Sequence, residues 1–254
     1  MTTQKAQVIE RQTRVVPRRP RAPVVPSVKP PPLASGDRLT RAEFERRYAA
    51  MPHVRKAELI EGVVYMPSPV SASHSLAHGD VMGWLSAYRV ATPGVRLHDN
   101  ATVRLDADNE VQPDALLRLE PALGGQSRIG KDGYLEGAPE LVVEVAMSSV
   151  AYDLHDKLWV YRRNGIPEYV VWQIYDERLD WFVLREGEYA LLAPDEAGLV
   201  RSQVFPGLWL TVPALLAGDL AGVLAELQNG LASAEHTVFV ERLSSALGAS
   251  PAAS

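Results

Sequence analysis

The decapeptide GAPELVVEVA, residues 137–146, decides the fold. Within it and just beyond, Glu140–Met147 (ELVVEVAM) is a short, nearly continuous apolar run, the pattern of a central strand covered on both faces. Side chains alternate along a strand, so Leu141, Val143 and Val145 face one way, and Val142, Glu144 and Ala146 face the other. Glu144 is therefore a carboxylate between apolar neighbours on its own face. Burying it unpaired is costly, so it needs a cation, a hydrogen-bonded partner or a raised pKa.

Working outward from this strand, Asp153–Asn164 reads as a helix stopped by Gly165-Ile-Pro167. Strand signals follow at Glu168–Ile174, Leu179–Leu184 and Tyr189–Leu192, the last two split by the Gly187 turn. Upstream, Thr40-Arg-Ala-Glu43 is a capping-box pattern opening a helix to about Ala50. Ala57–Met66 reads as a strand closed by the Pro67-Ser-Pro69 breaker, and Ser71–Ala91 as a long helix with Leu76, Val81, Leu85 and Tyr88 on its apolar positions. Val95–Leu105 and Val111–Leu119 read as two strands around an Asp106–Asn109 turn, and Gly124–Gly137 as a glycine-rich loop. Val212–Leu247 closes the chain as one or two helices. This order predicts an α/β fold with a mixed central sheet flanked by helices: a domain over residues 37–192, with 193–254 as a helical extension packed on it or serving self-association into a homo-oligomer.

The 254 residues, 46% of them apolar, suffice for one substantial core. Zero cysteines exclude disulfides, thiolate metal sites and a cysteine nucleophile, and fit a reducing compartment. No apolar run approaches a membrane span and no secretory signal opens the chain, so the expected location is the cytoplasm, with no membrane partner. Residues 1–36 hold seven Lys or Arg against one Glu, a net of +6, and seven of the 19 prolines without an aromatic. They read as a basic, disordered tail. Residues 37–254 then carry 19 Lys or Arg against 30 Asp or Glu, a net of −11. An acidic body argues against broad adhesion to nucleic acid but leaves room for a local basic groove.

A second carboxylate, Asp114, follows Pro113, which marks a break in the strand ladder of the kind that re-aims side chains. If the two strands are neighbours, Asp114 and Glu144 converge, and two carboxylates with a backbone carbonyl suit a hard cation such as Mg²⁺ or Mn²⁺. Lys157 lies near the edge of the Leu154, Leu158, Tyr161 stripe, where an ammonium beside a metal-bound water orients it. Plainer readings stand beside these. Lys157 forms an ordinary solvated pair with Asp153, Asp114 is a strand-end residue, and Glu144 is neutralised by a core arginine. His74, early in its helix, suits phosphate contact, proton transfer or a structural hydrogen bond; with His78 it has zinc-binding spacing, but Ser75 stands where a metalloprotease glutamate belongs. Walker-type and dinucleotide glycine loops are missing, as is a G-x-S-x-G elbow.

Taken together, ELIEG (58–62), His74, QPD (112–114), GAPELVVEVA (137–146), D-x-x-D-K-x-x-x-Y (153–161) and GIPEY (165–169) resemble the Uma-two family of endonucleases, in the PD-(D/E)xK or restriction-endonuclease-like superfamily. The resemblance covers roughly residues 38–192. It implies a magnesium site at Asp114 and Glu144 with the Val145 carbonyl, Lys157 as the catalytic lysine, Glu58 as an additional acid, and His74 in support. The superfamily lysine two residues after the glutamate is replaced by Ala146, and the helix supplies it instead. Met147-Ser-Ser149 departs from the family's S-P-S, and Tyr169-Val-Val-Trp-Gln173 from its Y-W-V-V-D. The expected activity is hydrolysis of nucleic acid, with DNA as the expected substrate. The alternatives are an interaction module on the same fold with little or no catalysis, and a zinc hydrolase built on His74 and His78.

Overall fold

The computed structural model describes residues 29–67, 70–147 and 153–249. Strand β9 (Leu141–Ala146) pairs antiparallel with β6 (Ala115–Leu119) on one side and parallel with β10 (Glu168–Gln173) on the other. β3 (Val95–Asp99) extends the sheet past β6, and β11 (Arg178–Arg185) and β12 (Glu188–Leu191) extend it past β10. All six β9 side chains are buried, as a strand covered on both faces requires. Leu141, Val143 and Val145 join the core beneath helix α2 (Ala72–Ala91), and Val142 and Ala146 join a second core containing Val160 and Tyr161 of helix α3 (Leu158–Arg163). The chain is thus a mixed α/β protein with helices against its central sheet, and the alternation read from residues 141–146 holds.

A second sheet, of short strands, runs in the order β2 (Val63–Tyr65), β1 (Glu58–Ile60), β5 (Glu110–Val111), β4 (Val103–Arg104), β8 (Leu135–Glu136) and β7 (Arg128–Ile129). Three continuous strands expected from the sequence are split to make it. Ala57–Met66 folds back at Glu61 and Gly62, whose φ values of 51° and 71° match the two-residue turn that suits strand twist. The Glu61 amide donates to Asn109 Oδ1 at 2.9 Å, which helps hold a non-glycine residue in that region. Val95–Leu105 breaks at Asn100 (φ 49°), and Val111–Leu119 breaks at Gln112-Pro113-Asp114. Both strands of that hairpin therefore leave one sheet for the other at the same level, where the Asn100 amide donates to the Asp114 carbonyl (3.2 Å).

Local chemistry sets the helix ends. The Thr40 hydroxyl accepts from the Glu43 amide to open α1 (Arg41–Ala49), which buries Phe44 against Leu33, Leu59 and Val64. Leu33 is buried and the Gly36 amide donates to the Val64 carbonyl, so packed chain reaches back before Asp37 into the segment read as tail. The rest of that tail, residues 1–28, lies outside the described residues, as do the end of the 67–69 breaker and residues 148–152. In α2 the buried stripe is Ala77, Val81, Trp84, Leu85 and Tyr88. Leu76, expected on it, is 70% exposed because its neighbour Ala77 takes the inward position.

Residues 193–249 are not purely helical. A hairpin of β13 (Leu199–Arg201) and β14 (Trp209–Thr211) precedes α4 (Val212–Leu216), α5 (Leu220–Leu231) and α6 (Ala234–Ala249). Three helices replace the expected one or two because Gly218 turns at φ 73° and Asp219 caps α5 through the Gly222 amide. Gly230 is required by close approach, since a β-carbon there would sit 2.3 Å from the Gly207 carbonyl. Phe205, Leu208, Leu210, Val223 and Leu227 are buried in the same core as α2. Among the described residues no helix is long and apolar enough to cross a membrane.

Trp84 joins these parts: it is 1% exposed, packs edge-on to Trp181 (5.9 Å, 78°) and donates from Nε1 to the Trp209 carbonyl at 2.9 Å. Trp84→Ala is expected to lower unfolding free energy by about 3–5 kcal/mol. The exposed control Leu76→Ser should stay within about 0.5 kcal/mol of wild type, both read by urea denaturation followed by circular dichroism.

Candidate active site

The sheet switch at residues 112–114 places the first acid. Ala115 pairs with Val143, and continuing that register by one residue sets Asp114 beside Glu144. Asp114 is 5% exposed, and its Oδ2 accepts from the Val145 amide at 2.8 Å. Val145 is thus drawn into the cluster through its N–H. Glu144, on the face predicted for it, accepts at Oε1 from Lys157 Nζ (2.8 Å) and from the Tyr161 hydroxyl (2.9 Å). Glu58, at the start of β1, lies with Oε1 3.1 Å from the same Lys157 ammonium and accepts from the Gln112 amide at 2.7 Å. Both glutamates are 3% exposed, so Glu58 is a buried member of the cluster and not a surface carboxylate.

Lys157 is itself 2% exposed. It ends a π-helical turn, Asp153–Lys157, that leads into α3, and it points toward the sheet, not outward at the edge of the stripe. It is therefore not a solvated lysine, and the cation that meets Glu144 is this ammonium. Leu154 and Leu158 pack on the second core beside buried Tyr161, as the stripe predicted.

Helix α2 brings the histidines. Ser71 caps the helix by accepting from the His74 amide, and His74 Nε2 lies 3.4 Å from Asp114 Oδ2. Its Nδ1 is buried with no hydrogen-bond partner among the described residues. One turn on, His78 Nε2 is 3.0 Å from the Asp114 carbonyl and 3.2 Å from Asp99 Oδ1. The two histidines thus address different atoms of Asp114, one its carboxylate and the other its carbonyl.

Two residues of this site were missed in the sequence. Lys56 Nζ sits 3.3 Å from Asp114 Oδ1, and Tyr161, read only as packing, binds Glu144. Signals existed for both: Lys56-Ala-Glu58 has the two-residue spacing that puts side chains on one side of extended chain, and Tyr161 is one helical turn past Lys157.

The electrostatics follow from this crowding. Burial by itself would raise the Asp114 carboxyl, but the His74 hydrogen bond, the Lys56 charge, the Val145 amide and the Lys157 charge together hold it well below the usual carboxylate range. Burial would likewise lower the Lys56 ammonium, yet Glu58, Asp114 and Glu144 outweigh it and raise its pKa. The donors suit a hard divalent cation in kind: three carboxylates, no sulfur, and formally one more negative charge than the two lysines supply. In their present positions Lys157 stands between two of the acids, and among the described residues no group of three or more His, Cys, Asp or Glu is arranged to hold a metal ion.

The architecture is that of a mixed α/β class with helices against its sheets. It matches a crystal structure described as "a putative nuclease belonging to DUF820" from Anabaena variabilis, with 14% identity, a TM-score of 0.52, and coverage of 68% of this chain and 96% of that one. The chain belongs to the Uma2 family, whose model, described as "Putative restriction endonuclease", matches residues 41–213. No curated protein matches it.

The depressed Asp114 carboxyl fixes a sign for acid stability. As pH falls below the ordinary value of 3.8, the unfolded chain takes up a proton that folded Asp114 resists, and the stability it contributes is lost. Asp114→Asn should therefore be less stable than wild type at pH 6, with the gap closing as pH falls from about 4 toward 2, in urea midpoints measured across that range.

Proposed function

We propose that the protein is a metal-dependent endonuclease that hydrolyses phosphodiester bonds of nucleic acid, with DNA as its substrate. The observation that carries this reading is the convergence of Glu58, Asp114 and Glu144, each 5% exposed or less, with a lysine ammonium, in a chain of a family described as endonucleases. Four separate stretches of chain supply these groups. Buried, partnered charges gathered at that cost are a physical pointer to a functional site.

In this reading Asp114 and Glu144, with the Val145 carbonyl, would hold Mg²⁺ or Mn²⁺. The ion, when bound, supplies Lewis acidity toward a phosphoryl oxygen and toward water. Lys157 keeps the Glu58 and Glu144 carboxylates fixed and stands beside the attacking water. Glu58 adds an oxygen donor, directly or through water. His74 acts in support, its Nε2 holding the Asp114 carboxylate in place. Water attacks phosphorus in line, the P–O bond to the leaving nucleotide breaks, and a proton lost by the water is made up on the departing oxygen through solvent, leaving a phosphate monoester on one strand end and a hydroxyl on the other.

Purified protein incubated with supercoiled plasmid and with DNA and RNA oligonucleotides in Mg²⁺ or Mn²⁺ tests this. Metal-dependent cleavage is expected, abolished by EDTA and reduced about 10²-fold or more in both Asp114→Ala and Lys157→Ala. Cleavage that survives both substitutions belongs to a contaminant and overturns the reading.

A second expected outcome separates the structural share of Lys157. Lys157→Met leaves two buried carboxylates without their cation and should cost about 3–5 kcal/mol in urea unfolding at neutral pH.

A further inference from the structure

We propose that Lys56 is the cation that receives a backbone phosphate of the nucleic acid at this site, while Lys157 stays bound to its acids. The inference rests on the nucleic-acid substrate proposed above and assigns a residue that the motifs do not contain. Accessibility separates the two lysines. The Lys157 side chain is 2% exposed and its ammonium bridges Glu58 and Glu144, so a phosphate reaching it must first displace a carboxylate. The Lys56 side chain is 23% exposed and its ammonium rests on Asp114 Oδ1 at 3.3 Å. A flexible stem with three donors can keep its charge beside Asp114 and turn a remaining N–H toward an incoming phosphate oxygen.

The surroundings fit that direction of approach. Lys56 ends the segment joining α1 to β1, in which His53 and Arg55 are exposed. Arg55 and Lys56 make a local positive rim beside an acid cluster, on a body whose net charge is otherwise negative. Such a rim offsets the repulsion a polyanion meets on approaching three carboxylates. Arg55 is exposed where Lys56 is half-buried, so the loop presents charge to neighbouring phosphates while Lys56 serves the one nearest the acids.

The test is binding of a fluorescein-labelled 20-base-pair DNA duplex, followed by anisotropy over a series of salt concentrations in Ca²⁺, with cleavage assayed separately in Mg²⁺. A single phosphate contact contributes about 0.9 to the slope of log affinity against log salt. Lys56→Gln is expected to flatten that slope by about one while its thermal melt stays cooperative, and Lys56→Arg to keep it. Duplex should also protect Lys56 of the wild-type protein from reductive methylation, read by peptide mass, which needs no variant to fold. An unchanged slope in a folded Lys56→Gln, or equal methylation with and without saturating duplex, overturns the proposal. Flattened slope without any cleavage by wild type would sink the nuclease reading and leave Lys56 as a phosphate contact. Cleavage with an unchanged slope does the reverse.

Discussion

One ammonium group between two buried glutamates holds this site together. Lys157 Nζ lies 2.8 Å from Glu144 and 3.1 Å from Glu58, and all three side chains are nearly sealed from water. Desolvating those charges is expensive, and their attraction repays it only when each keeps its partner. The three residues come from a short hairpin, the central strand and the helix after it, so the electrostatic requirement also fixes how those elements meet. The Tyr161 hydroxyl and the Gln112 amide take further lone pairs of the same carboxylates, as a polar cluster in an apolar setting demands.

The second constraint is geometric. Both strands of the β3–β6 hairpin change sheets at one level, and Asp114 stands at the change. A proline just before it removes a ladder donor, and the Val145 amide, instead of finding a strand carbonyl there, donates to the Asp114 carboxylate. The break in regular pairing is thus what supplies the acid with its hydrogen bond, and what brings it beside Glu144. Strand irregularity and site placement are one event.

Much of this was legible in the sequence, for identifiable reasons. The two-sided burial of residues 141–146 and the oddity of Glu144 follow from alternation alone, and Pro113 announced the irregularity at Asp114. The splitting of Ala57–Met66 was not legible, because Glu61 adopts a left-handed turn that its residue type disfavours and that a distant Asn109 supports. The other break, at Asn100, uses a residue type that tolerates the left-handed region but lies inside a run that reads as one strand. Full burial of Lys157 was equally invisible: a lysine near a helix stripe reads as solvated until the chain supplies two acids from elsewhere. Lys56 escaped notice because its significance depends on Asp114, 58 residues away. Local pattern reports elements and single anomalies, whereas partners across long loops need the fold.

The C-terminal hairpin and helices carry a further implication. The Trp84 indole is anchored to the Trp209 carbonyl, and Tyr88 donates to the Pro206 carbonyl, so the inner face of α2 is seated on residues that come late in the chain. The opposite end of that rod bears His74 beside Asp114. A lever of twenty residues thus connects the packing of the C-terminal segment to the end that carries His74. Relatives that exchanged their terminal segments would inherit a different tilt of this rod, and drift in a region remote from any charged group could tune how closely the imidazole approaches the acid.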